Sequence, residues 1–241
     1  VDVVSKINTG AKYDSRASQK SVGLNGVGTK AVNALSNYFK VSSIREQKEK
    51  VAEFERGILV KEHKESSTTG ANGTMVTFIP DDTIFKNFKF HPEFLENLLW
   101  NYCFLNAGLK IIFNGKSYIS RNGLLDLLER KTNPDEIRYP IIHLKGEDIE
   151  LSITHGNEYG EELYSFVNGQ HTTQGGTHQQ AFREGFVKTI RDFYKKDYET
   201  SDIRTGIVAA ISVRVVEPVF ESQTKTKLGS HNVDINGPSM R

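Results

Sequence analysis

A single cysteine in 241 residues leaves no partner for an intrachain disulfide, so cysteine usage gives no sign of an oxidising compartment. That residue, Cys103, lies in the apolar, helix-like stretch Trp100-Asn101-Tyr102-Cys103-Phe104-Leu105, which predicts a buried structural thiol rather than a nucleophile. Long apolar runs are missing too: none reaches the ~20 residues that a membrane-spanning helix needs, and no signal peptide opens the chain. A cytoplasmic location without a membrane partner is the expectation. Charge of one sign is also absent. The 31 Lys and Arg residues face 30 Asp and Glu, and the net charge of +1 argues against binding nucleic acid through bulk positive charge, though it leaves room for a local basic surface. With 37% apolar and 25% charged residues the composition is that of a globular protein, long enough for one large or two ordinary domains. The chain starts at Val1 without Met and stops at Arg241 after a loop-like stretch, so it reads as an internal piece of a longer protein.

Glycine, in contrast, is concentrated. Residues 23–30 read Gly23-Leu24-Asn25-Gly26-Val27-Gly28-Thr29-Lys30, and Ala31-Val32-Asn33-Ala34-Leu35-Ser36 behind them has helical spacing. Glycines let the backbone take positive φ and bring N–H groups close to a ligand. A helix starting just behind offers N–H groups without intrahelical partners and the positive end of its dipole, which suits phosphate. Gly23 and Gly28 have the separation of a P-loop, but the required Lys then Ser/Thr order is reversed in Thr29-Lys30. A plain loop-to-helix turn is the competing reading.

The rest of the chain mixes helix and strand signals. Residues 39–45, 51–56, 58–62 and 74–79 predict short strands joined by polar turns, in a β-meander, with a loop over 66–73. Pro92 opens a helix carrying Phe94, Leu95, Leu98, Leu99, Tyr102 and Leu105, which stops at Gly108. The Asn114-Gly115 turn predicts a hairpin of 109–113 with 116–120. A short helix follows over 123–130, then strands near 141–144, 149–154 and 163–168. Thr177 and Gln180 have capping-box spacing ahead of a helix with Phe182, Phe186, Ile190 and Phe193 on one face. Arg183, Lys188, Arg191 and Lys195 lie elsewhere on that helix, for which a solvated face is the plain alternative. Residues 206–216 alternate as a half-buried strand. His171 and His178 flank a Gly-Gly turn at no recognised metal spacing and predict hydrogen-bonding roles. Glu161-Glu162 and Asp148 with Glu150 predict solvated, hairpin-like charge.

Four stretches then fall into a known order. Thr9-Gly10-Ala11-Lys12-Tyr13-Asp14, the 23–36 segment, Gly73-Thr74-Met75-Val76-Thr77-Phe78 and Ser222-Gln223-Thr224-Lys225-Thr226-Lys227-Leu228 follow one another as in the ATPase region of type IIA DNA topoisomerases. The chain resembles, essentially end to end, part of the B subunits of bacterial topoisomerase IV and gyrase. The resemblance implies an α+β fold: the C-terminal part of a GHKL ATPase α/β sandwich over 1–80, followed by a ribosomal S5 domain 2-like transducer domain over 81–241. It implies that Gly23, Leu24, Asn25, Gly26, Val27 and Gly28 form an ATP lid whose N–H groups wrap the triphosphate, that Lys12 reaches the phosphates, and that Thr74 lies at the adenine end. Gln223 and Lys225 would come from the transducer to the γ-phosphate as the catalytic pair. Ammonium groups and N–H donors suit a charged triphosphate.

The resemblance further implies ATP with Mg²⁺, an A subunit in an A₂B₂ heterotetramer, a second B subunit joined by ATP-dependent dimerisation, and duplex DNA held without sequence readout. Arg183, Lys188, Arg191 and Lys195 would contact that DNA. Val22 replaces the usual first glycine of the lid, Asn25 the usual histidine, and Ser18 stands where a nucleotide-touching tyrosine is common. The acidic general base, the Mg²⁺ ligand and the adenine-reading aspartate belong upstream of Val1, so these residues alone are expected to hydrolyse no ATP. Two rival readings stay open: another GHKL ATPase such as a MutL-type repair protein, and a non-catalytic interaction fragment. The 222–228 motif favours the topoisomerase.

Overall fold

The computed structural model describes residues 1–7, 9, 26–234, 237, 239 and 240. They form two compact units, the first ending at Phe90 and the second beginning at His91. Both mix helices with mainly antiparallel sheet, so the class is α+β.

The first unit contains α1 (Asp2–Ser5), α2 (Gly28–Ala34), β1 (Ser36–Arg45), β2 (Lys48–Glu55), β3 (Ile58–Glu62), β4 (Ser66–Ser67) and β5 (Gly73–Pro80). Its sheet runs β3-β2-β1-β5, with β4 paired to β2. A pure meander would set β5 beyond β3; instead β5 returns to the free edge of β1. The register explains the choice. Phe39 faces Phe54 on one side and Phe78 on the other, and Val41 faces Ala52 and Val76, so apolar cross-strand pairs line up on both flanks of β1. Phe39 and Phe54 meet edge to face with ring centroids 6.0 Å apart, and Val4 of α1 packs on them. Helix α2 is held to α1 by Asn33, whose Nδ2 donates to Val4 O at 3.0 Å. The turn Glu46-Gln47 joins β1 to β2 with φ of 52° and 61°, positive at both central residues without a glycine.

The second unit contains α3 (Pro92–Leu105), β6 (Lys110–Phe113), β7 (Lys116–Ile119), α4 (Leu124–Lys131), β8 (Ile142–Lys145), β9 (Ile149–His155), β10 (Glu162–Val167), β11 (Gln170–His171), α5 (Thr177–Tyr194), α6 (Thr200–Arg204) and β12 (Ile207–Val213). The expected Asn114-Gly115 hairpin joins β6 and β7, with φ of 49° and 78° at the turn. The main sheet runs β11-β10-β12-β9-β8. Strand β12 is central and parallel to β10, which requires the long crossover that α5 and α6 supply.

Alternation along β12 separates the two faces of this sheet. Val208 and Ala210 point to a core with Phe104, Leu124, Leu127, Leu128 and Phe166 beneath α3 and α4. Ile207 and Ala209 point to the opposite core, where Leu151, Ile153, Leu163, Phe182 and Phe186 meet α5. Cys103 is fully buried, and burial pushes its thiol pKa up, as its apolar surroundings predict. The expected capping box at the start of α5 does not form. Gly176 is the N-cap with no side-chain cap, so Thr177 is already the first helical residue, one position past where a capping hydroxyl would sit, and its hydroxyl donates to Ser230 O.

Candidate functional site

In the first unit the expected site residues Gly26, Val27 and Gly28 stand at the start of α2. Gly26 adopts φ 57°, Val27 is the N-cap, and Gly28 opens the helix into free space, since a Cβ there would meet no atom within 4 Å. Lys30 turns back and its Nζ donates to Gly26 O, so the lysine of the reversed Thr29-Lys30 pair braces this turn. Thr74 is exposed on β5, opposite Ser43 of β1. Lys12, Gly23, Leu24 and Asn25 lie outside the described residues.

In the second unit the 221–228 segment is a closed loop. Glu221 N donates to Lys227 O at 3.1 Å, and the Lys227 ammonium pairs with the Glu221 carboxylate at 2.8 Å. Inside it, Lys225 N donates to Ser222 O at 3.0 Å and the Ser222 and Thr224 hydroxyls share a hydrogen bond of 2.7 Å. Lys225 takes φ 57°, a left-handed conformation rare for a long side chain. Gln223 is exposed at the turn and Lys225 half-buried beside it. The loop therefore carries an amide and an ammonium on one hydrogen-bonded turn. That donor set fits a terminal phosphate, which accepts both. Leu228, 1% exposed, fixes the base of the loop among Val167, Val215 and Phe220.

Helix α5 carries three of the four basic candidates, Arg183, Lys188 and Arg191, and not as one free stripe. Lys195, expected on the same helix, is instead its C-cap at φ 54°, where the left-handed turn takes it out of the helical spacing. Arg183 Nε donates to Glu161 Oε2 at 2.7 Å, and Arg204 Nε donates to the other oxygen of the same carboxylate. Burial works to raise the Glu161 pKa, and the hydrogen bonds from Arg204 and Arg183 outweigh it, so the carboxyl lies below its ordinary value. The reading of Glu161 as solvated is thus corrected: its side chain is 13% exposed. Glu150 is corrected likewise, since it accepts the Leu124 N–H at 2.9 Å at the start of α4 and faces His143 at 3.0 Å. Arg191 holds the chain beyond α5, donating to Tyr198 O at 2.6 and 2.9 Å and pairing with Asp197 at 3.1 Å. Lys188 and Lys195 point to solvent, with no ion pair among the described residues. Arg183, Lys188, Arg191 and Arg204 nonetheless line one shallow cavity of about 360 Å³. Among the described residues no three His, Cys, Asp or Glu side chains gather as a metal site. His178 binds Thr172 Oγ1 through Nε2 at 3.1 Å, and His171 stacks on Phe166.

Comparison with known proteins bears on this arrangement. The sequence pattern of the DNA gyrase B family matches residues 117–236. The DNA topoisomerase 4 B subunit of Borreliella burgdorferi is 48% identical over 237 residues, 98% of this chain and 39% of that protein. The chain belongs to the gyrase B and topoisomerase IV B-subunit family. The DNA gyrase B subunit of Thermotoga maritima, another member, is 34% identical over 96% of this chain and 40% of its own length. The chain thus spans about two-fifths of these relatives. The 43K ATPase domain of Thermus thermophilus gyrase B, solved with an aminocoumarin, shares 28% identity at a TM-score of 0.69, covering 85% of this chain and 61% of that one. The ATPase region of Saccharomyces cerevisiae topoisomerase II, at 23% identity, has the same fold, with a TM-score of 0.80 over 98% of this chain and 64% of that one. The architecture of this B-subunit piece is that of the later part of a GHKL ATPase sandwich followed by an S5 domain 2-like transducer fold.

The sequence reading missed the Gly175-Gly176 turn as a support of the 221–228 loop and Glu161 as the centre of an arginine pair. The adjacent glycines were the available signal for the first. Nothing local marks the second, because Glu161 and Arg204 are 43 residues apart.

Proposed function

We propose that this chain is part of the ATP-operated clamp of a type II DNA topoisomerase, coupling ATP binding and hydrolysis to DNA strand passage in relaxation and decatenation. The observation that carries this reading is 48% identity to a topoisomerase 4 B subunit along 98% of the chain. Residues 1–80 would supply the lid-bearing end of the ATPase domain and residues 81–241 the transducer. The full protein would act as an isomerase subunit in the cytoplasm, in an A₂B₂ assembly closed by ATP-dependent dimerisation of its B subunits.

Bound ATP, accompanied by Mg²⁺, supplies a chain of anionic phosphates whose last member is lost on hydrolysis. Backbone N–H groups of Gly26, Val27 and Gly28, with Gly23, Leu24, Asn25 and Lys12, would enclose the phosphates, and Thr74 would lie toward the base. No described residue is assigned to the Mg²⁺. Lys225 would donate a charge-assisted hydrogen bond to the γ-phosphate and Gln223 a neutral one, the former worth about 1.5–3 kcal/mol. A loop that gains this contact only before hydrolysis is an ordering switch for the domain carrying it. Lys188, Lys195, Arg183 and Arg191 would face the captured duplex and bind phosphates without reading bases.

The test is Lys225→Ala in the full-length subunit assembled with its A partner. ATP turnover should fall about 10- to 100-fold while ADP affinity changes little, since ADP lacks the contact. Lys225→Gln should restore little, because an amide brings a donor without charge. Equal weakening of ADP and a non-hydrolysable ATP analogue would overturn the assignment. The higher identity to a topoisomerase 4 subunit than to the Thermotoga gyrase subunit also favours decatenation. Introduction of negative supercoils by the reconstituted enzyme would contradict that preference.

A further inference from the structure

The loop bearing Gln223 and Lys225 is clasped to the turn that starts α5. Gln174 N donates to Thr226 O at 2.9 Å, Leu228 N to Gly175 O at 3.1 Å and Thr177 N to Leu228 O at 3.1 Å. Between these bonds lies Gly176, with φ 131°. A Cβ at this position would sit 2.4 Å from Leu228 O, 2.5 Å from Leu228 N and 2.9 Å from Leu228 Cα. All three are backbone atoms, so no side-chain rotation relieves the clash. Leu228 cannot retreat inward either, because its side chain is locked against Val167 and Val215. The displacement must pass along the loop, and Lys225 is three residues away.

We propose that Gly176 is a positioning residue for ATP hydrolysis: its bare Cα lets the backbone of Leu228 lie against the start of α5, and this contact sets where Gln223 and Lys225 stand. The inference rests on the assignment of those two residues to the γ-phosphate. Gly176 itself touches no nucleotide. Because Thr177, the first residue of α5, donates its N–H to Leu228, the same clasp ties the loop to the helix that carries Lys188 and Arg191. The loop and the helix start must then move together.

The experiment compares Gly176→Ala, Lys225→Ala and the double variant in the full-length subunit assembled with its A partner. Misplacing a catalytic group by about 1 Å costs on the order of 100-fold, so Gly176→Ala should cut ATP turnover by about that factor. ADP affinity should stay near the wild-type value and affinity for a non-hydrolysable ATP analogue should fall. The double variant should lose far less than the product of the two single losses, since both act through Lys225 and only the Gln223 contact is left to misplace. Should Gly176→Ala fail to fold, Gln174→Pro deletes the N–H that holds Thr226 O and leaves Gly176 in place, with an expected loss of about five- to tenfold that shrinks in the Lys225→Ala background. Wild-type turnover in Gly176→Ala, or losses that multiply in the double variant, would overturn the inference alone. If Lys225→Ala weakens ADP and the analogue equally, the γ-phosphate assignment falls, and the inference with it.

Discussion

Arg56 Nε donates to Asp81 Oδ2 across 2.5 Å, joining the β2–β3 turn to the first residue after β5. Asp81, 1% exposed, also accepts the N–H and hydroxyl of Thr83, and its own N–H donates to Leu35 O. The Arg56 guanidinium, then the Thr83 donors, hold its carboxyl at about 2 instead of the ordinary 3.8. A lowered carboxylate pKa contributes stability that is complete above the ordinary value and is lost as pH falls through the folded one. Thermal melts should show Asp81→Asn less stable than wild type at neutral pH. The gap should close as pH falls from 3.8 toward about 2. A gap that does not change with pH would mean the carboxylate's charge is not what holds the turn.

His178 gives a second pH dependence of a different origin. It is 3% exposed, and burial alone pushes its pKa down from 6.5 to about 4. The folded state therefore favours the neutral ring, while the unfolded chain takes up a proton first on acidification. Stability from this residue is complete above 6.5 and declines as pH falls toward about 4. At about 1.4 kcal/mol per pKa unit, the whole step from 6.5 to about 4 amounts to roughly 3 kcal/mol. Urea titrations across this range should show a flatter dependence for His178→Gln than for wild type, and an NMR titration of the imidazole should show the low midpoint directly.

Removing Glu161 should leave two arginines without their shared acceptor. Glu161→Ala is expected to cost about 1–3 kcal/mol of stability in the second unit, since the carboxylate is mostly buried and both guanidinium groups lose a charged partner. Arg183→Ala and Arg204→Ala should each cost less, as one arginine remains to pair. Chemical denaturation of the three variants checks the order.

The basic helix makes a prediction that separates its residues. Lys188→Glu with Lys195→Glu, in the full-length enzyme, should lower the DNA-stimulated increment of ATP hydrolysis and reduce the salt dependence of DNA binding by about one unit for each phosphate no longer neutralised. Arg191→Ala should instead lower the melting temperature first, because it releases Tyr198 O and Asp197. Unchanged salt dependence in the double lysine variant would remove this face from the DNA-binding surface.

Elements whose signals are local were legible in the residues alone. Pro92 opens α3, Asn114-Gly115 turns β6 into β7, and the apolar spacing behind Thr177 forms α5, because each depends on backbone preference and neighbours within a few positions. The Glu46-Gln47 turn escaped, since neither residue favours positive φ; the pairing of β1 with β2 imposes it.

The order of the four motifs, which is a property of sequence, was enough to point to the B-subunit family and to mark Gln223 and Lys225. Only the tertiary structure decided how those residues are held. The return of β5 to β1, the binding of Arg183 and Arg204 by Glu161, and the seating of Leu228 on Gly176 all join residues tens of positions apart. No local propensity encodes such contacts. They form because the sheet register and the packing of Leu228 bring those backbones and charges to one place, where burial makes an unpaired polar group costly.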